Sequence, residues 1–93
     1  MYASLGNFPL THLASVIGVK NKALIKAIGE NIHKLRKERG LTQTELSHEA
    51  DIILSQVARI ERGETNPTIS TLYVIAEALG VDLKDLVNIK FKK

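Results

Sequence analysis

An all-α domain of five helices is what this sequence predicts. Three observations carry that reading. Apolar residues recur three and four apart from residue 22 onward, no segment sustains the period of two that a half-buried strand needs, and turn-forming residues fall between the periodic runs. At 93 residues the chain has room for one core, since single domains organise about 100 to 150 residues. An apolar fraction of 44% and a charged fraction of 25% place it with ordinary folding chains, away from compositions that stay disordered.

Residues 1–21 read as an N-terminal arm. Lys20 is its one charged side chain, and Gly6, Pro9 and Gly18 punctuate it; Thr11 can cap a short helix through Ser15 and Ile17, making the arm partly helical. The domain proper spans 22–88. Its first helix starts at Lys22 and places Ile25, Ile28, Ile32 and Leu35 on one face, with Lys26, Glu30, Lys34 and Lys37 on the others. Gly40 ends it as a left-handed cap residue, and Lys37 and Arg39 in the last turn oppose the negative end of the dipole.

Thr42-Gln43-Thr44-Glu45 has the form of a capping box and opens a second helix, which turns Leu46 and Ala50 inward before Asp51 and Ile52 redirect the chain. A third helix of about 54–61 buries Val57 and Ile60, leaves Ser55, Gln56 and Arg59 outward, and stops at Gly63. Asn66-Pro67 forces an extended or turn conformation. Thr68 then caps a fourth helix marked by Ile69, Leu72, Ile75, Ala76 and Leu79 and closed by Gly80. Asp82 can cap a fifth, carrying Leu83 and Leu86, before a basic C-terminal tail at 89–93 with Lys90, Lys92 and Lys93.

Composition narrows the function classes. Thirteen Lys and Arg against ten Asp and Glu give a net charge of +3, a weak lean toward anionic partners. The absence of cysteine removes disulfides, thiolate metal sites and cysteine nucleophiles. His12, His33 and His48 have no metal-binding spacing, His48-Glu49 lacks the second histidine of H-E-x-x-H, and neither a phosphate-binding glycine loop nor a G-x-S-x-G elbow occurs. No catalysis, cofactor or metal is therefore expected. The apolar stretch from Ala3 to Val19 is broken by Pro9, Thr11 and His12 and lacks a preceding basic residue, so neither a membrane segment nor export is expected and the reading is cytoplasmic.

Two short helices joined by a tight turn, with a longer helix before and two after, have the order by which a helix is offered to the DNA major groove. The runs Ile32-His33-Lys34-Leu35-Arg36-Lys37-Glu38-Arg39-Gly40-Leu41-Thr42-Gln43, Arg59-Ile60-Glu61-Arg62-Gly63, Asn66-Pro67 and Ile75-Ala76-Glu77-Ala78-Leu79-Gly80-Val81 resemble the Cro and phage-repressor class of regulators, the Xre family. The resemblance covers about residues 25 to 88. It implies a lambda-repressor-like fold, a helix-turn-helix motif at about 42–62, and a regulator of transcription, repressor-like, on double-stranded DNA; a homodimer is expected because one recognition helix touches only a few base pairs and a two-fold pair doubles the site.

Residue by residue, the resemblance implies that Gln43 bridges phosphate and the recognition helix, beside an anion site offered by the amides near Thr42. Leu54, Ser55, Gln56 and Arg59 fall where the family faces base edges or nearby phosphates, and Arg59 can bond both O6 and N7 of guanine. Leu54 departs from the usual polar choice: it either meets a thymine methyl or packs between the second and third helices. Ile53 also departs, because it cannot accept a hydrogen bond from the free amides, so a slightly frayed helix start is expected. Arg36 and Glu61 match an ion pair that orients the recognition helix. Arg62 and Asn66 flank a loop that nears the DNA backbone, with Glu64 between them repelling phosphate.

Two alternatives stay open. An antitoxin or other protein-interaction module with a toxin or similar partner would keep this fold, and the apolar Ile53 and Leu54 favour it. The dimer contact is expected around Leu83, Val87, Ile89 and Phe91, unless the arm contributes or Phe91 folds back on its own domain. Lys34, Lys37 and Arg39 are expected to serve as a solvated helix face.

Overall fold

Five helices follow one another, with no strand among the described residues: α1 (Lys22–Glu38), α2 (Gln43–Ala50), α3 (Leu54–Glu61), α4 (Ile69–Leu79) and α5 (Leu83–Leu86). The structure is a computed structural model and describes residues 21–90; the arm helix expected from Thr11 and the tail residues Phe91, Lys92 and Lys93 lie outside the described residues.

Side-chain caps set most helix starts. Asn21 accepts from the amide of Leu24 at 2.9 Å, and Thr68 from that of Thr71 at 3.1 Å. At α2 the capping box is complete, the Thr42 hydroxyl accepting from the Glu45 amide at 3.0 Å while the Thr42 amide donates to the Glu45 carboxylate at 2.8 Å. Ile53 precedes α3 with no side-chain cap, as an isoleucine must. Four helix ends share one closure, an amide bonded to the carbonyl five residues back: Leu41 to Arg36, Ile52 to Ser47, Glu64 to Arg59 and Val81 to Ala76. Each passes through one left-handed residue. Three are glycines, and the fourth is Asp51 with φ of 57°, an aspartate being one of the few side chains that tolerate this region.

The core is one cluster of Ile32, Leu46, Val57, Ile60, Leu72, Ile75, Ala76, Leu79 and Leu86, with Ile28, Leu35, Leu41, Ile52 and Leu83 packed at its edge. α2 packs on both α3 and α4, α1 crosses α3, and α5 rests on α4 and α1. The crossing of α1 over α3 is unusually close, because a Cβ at Gly29 would overlap the Ile60 carbonyl oxygen and lie 2.9 Å from that of Glu61. Only glycine permits this. Asn31 ties α5 down by donating its amide to the Asp85 and Leu86 carbonyls at 2.9 and 2.8 Å, occupying acceptors that a helix end otherwise leaves free. Ile69 differs from the expected inward series: it is 64% exposed, because the first turn of α4 projects past the core.

Candidate nucleic-acid interface

The turn at Asp51 sends α3 away from α2 with its apolar stripe inward. Val57 and Ile60 are buried, Gln56 and Ala58 are intermediate, and Leu54, Ser55 and Arg59 are exposed on the outer side. Ile53 at 68% and Leu54 at 45% are also exposed, so Leu54 does not pack between α2 and α3. Two bulky apolar groups thus stand beside a hydroxyl and a guanidinium on one free surface.

The orientation of α3 is held at its C-terminal end by Glu61. Its carboxylate receives the Arg36 Nε at 2.6 Å and the second guanidinium nitrogen at 3.0 Å, while Arg36 also donates to the Leu41 carbonyl at 2.8 Å. With exposures of only 7% for Arg36 and 3% for Glu61, this is a buried, two-pronged pair joining α1, the α1–α2 turn and α3. The Gln43 amide donates to the same carboxylate at 3.0 Å, and His33 Nδ1 lies 2.9 Å from it. Burial pushes the Glu61 pKa up, but the hydrogen bonds from Arg36, Gln43 and His33 outweigh burial and hold it below the ordinary glutamate value.

Gln43, at the start of α2, is therefore linked to the end of α3 through Glu61. His33 is a member of this cluster that sequence reasoning missed, because no spacing rule connects residues 28 apart. Among the described residues no group of His, Asp and Glu could hold a metal ion.

Arg62 and Asn66 are exposed on the loop after α3. Arg62 donates to both oxygens of Glu64, at 2.8 and 3.0 Å, so Glu64 holds a neighbouring cation rather than standing as an isolated negative charge. Arg62 keeps the Glu64 carboxyl below its usual range by that hydrogen bond.

A capped helix, a tight left-handed turn and a second helix with one buried and one free face define the class of helix-turn-helix DNA-binding proteins. Residues 32–86 match the HTH_3 helix-turn-helix family. The chain belongs to that family of DNA-binding transcriptional regulators, the Xre and Cro-like group, which is not a family of enzymes. It is 44% identical over 63 residues to the HTH-type transcriptional regulator y4dJ of Sinorhizobium fredii, a match covering 68% of this chain and 82% of that one. It is 43% identical over 61 residues to the immunity repressor protein of Bacillus phage phi105, covering 66% of this chain but 42% of the relative. Among solved structures it is similar to the restriction-modification controller protein C.AhdI of Aeromonas hydrophila, with a TM-score of 0.64 and 30% identity over 68% of this chain and 94% of that one. No helix among the described residues is long and apolar enough to cross a membrane.

Proposed function

We propose that this chain is a sequence-specific regulator that docks α3 in the major groove of double-stranded DNA, as a homodimer on a pseudo-palindromic operator. The observation that carries the proposal is the free outer side of α3, where Ser55 and Arg59 stand exposed opposite the buried Val57 and Ile60. A groove about 12 Å wide admits a helix, and its base edges present the acceptors that a guanidinium reads. In this reading Leu54, Ser55, Gln56 and Arg59 face bases, while Thr42, Gln43, Arg62 and Asn66 face phosphates. The immunity repressor and controller relatives support a switch that blocks or assists polymerase according to where its operator lies.

The test has two parts. Selection from a randomised duplex pool should return two inverted half-sites about 34 Å, one helical turn, apart. Against the selected site, Arg59→Ala should lower specific affinity and relax preference at one position by about 1 to 3 kcal/mol, whereas Gln43→Ala should weaken every duplex alike. Equal losses for Arg59→Ala on selected and random duplex would remove its reading role.

The exposed Ile53 and Leu54 favour a second reading, a protein-interaction module such as an antitoxin. Salt separates the two: DNA binding must weaken with a slope near −0.9 per phosphate neutralised. A salt-independent response would select the protein partner.

A further inference from the structure

We propose that the N-terminal half of α1 belongs to the DNA-binding surface, Lys22 and Lys26 forming with Asn66 a cationic groove, bordered by the base-facing Arg59, that receives backbone phosphate beside each half-site. This rests on the DNA reading above and adds a phosphate contact from a helix outside the helix-turn-helix.

The groove is an open cleft of about 590 Å³ between α1, the end of α3 and the following loop, lined by Lys22, Ile25, Lys26, Arg59 and residues 63–66. Two backbone contacts make it one rigid unit. Gly29 sets α1 directly on the carbonyls that end α3, and a Cβ at Gly63 would lie 2.9 Å from the Lys26 Cα, so the loop is pressed against α1 one turn earlier. Lys22 is a further turn along the same helix. The position of these lysines relative to Arg59 is therefore set by backbone packing, although their ammonium groups are exposed.

The charge balance fits an anion. Lys22, Lys26 and Arg59 face the cleft; its one carboxylate, Glu64, already accepts from Arg62 at both oxygens. Lys26 meets Glu30 only at 3.8 Å, with both side chains about two-thirds exposed, a pair that water and salt screen. Asn66 and Thr65 line the same cleft with neutral polar groups. The placement also runs against helix stability, for α1 has no acidic residue in its first turn and begins with Lys22, where the dipole disfavours a cation. Because the cleft includes Arg59, it is continuous with the outer side of α3, and a duplex seated on that side brings its sugar-phosphate edge to the cleft.

The experiment compares the whole chain with K22Q/K26Q and with K84Q/K90Q, which removes the same charge from exposed positions in and after α5. Binding to the selected duplex and to a random duplex is followed by fluorescence anisotropy across salt. One lost phosphate contact makes the log–log salt slope shallower by about 0.9, which corresponds to about eightfold in affinity over the decade between 1 M and 0.1 M. K22Q/K26Q should therefore lose about eight- to sixtyfold at 0.1 M salt, equally on both duplexes, with a slope shallower by about one to two. K84Q/K90Q should barely move the slope. The melting temperature of K22Q/K26Q should stay level or rise, because the opposed dipole is relieved, so that lost binding does not arise from unfolding. Matching losses for the two double variants, or an unchanged slope in K22Q/K26Q, would overturn the groove while leaving the DNA reading intact. If the unaltered chain binds no duplex at any salt, both fall together.

Discussion

Glu61 is the residue on which the geometry of α3 turns. A carboxylate this buried is tolerable only because Arg36, Gln43 and His33 supply hydrogen bonds to it. Arg36→Leu leaves that charge without its main partner and should destabilise the fold by about 3 to 5 kcal/mol in urea titrations; a loss under about 1 kcal/mol would mean the pair is dispensable. The pH dependence follows from the lowered Glu61 pKa. A folded value below the unfolded one gives stabilisation that is complete above the ordinary glutamate pKa of about 4.3 and lost as pH falls through the lower folded value. The stability gap between the unaltered chain and Glu61→Gln should accordingly narrow from neutral pH toward pH 3. A gap constant across that range would detach Glu61 ionisation from stability. Leu54 yields a prediction of a different kind: it is 45% exposed, and on the proposed DNA reading it would meet the thymine methyl, the apolar group that the major groove presents. Replacing the facing thymine by uracil should weaken the unaltered chain about threefold and leave Leu54→Ser indifferent, and the reverse pattern would assign Leu54 no such contact.

At the scale of elements, the uncapped start of α3 is the weakest local feature. Ile53 offers no acceptor to the first amides and is 68% exposed, so it contributes little packing in exchange. Ile53→Ser should raise stability by about 1 kcal/mol through a new cap. A melting temperature that falls instead would show that Ile53 packs in the folded state more than its exposure indicates. Which elements the sequence made legible follows from the range of the interactions that set them. The capping box at Thr42, the Thr68 cap, the glycine closures and the buried Val57, Ile60, Leu72 and Leu79 are local patterns, and local patterns are readable along the chain. Long-range pairings were not, apart from Arg36 with Glu61, which the family resemblance implied. Asn31 reaches carbonyls 54 and 55 residues away, Gly29 makes sense only once α1 is seen to cross α3, and the place of His33 depends on a partner 28 residues on. Ile69 obeyed the helical period yet faces solvent, because periodicity cannot say where a helix runs past its core.

At the scale of the molecule, the proposed dimer rests on the size of α3. Eight residues rise about 12 Å, which spans only three or four base pairs at 3.4 Å each, too few to define a site among many competitors. A two-fold pair would double the site, and the segment beyond α5 is where such a pair is expected to meet: Val87 is 43% exposed and Ile89 is half-buried beside it. Val87→Glu places a charge in that contact and should leave the chain monomeric in sedimentation at concentrations where the unaltered chain is a dimer. The two forms should then differ on DNA in a way that stability cannot mimic. Inserting about five base pairs between the half-sites turns one of them to the opposite side of the duplex, so the dimer should lose at least about tenfold in affinity. The Val87→Glu monomer, bound to one half-site at a time, should not register the insertion. If the unaltered chain sediments as a monomer and also ignores the added half-turn, it reads DNA as a single copy.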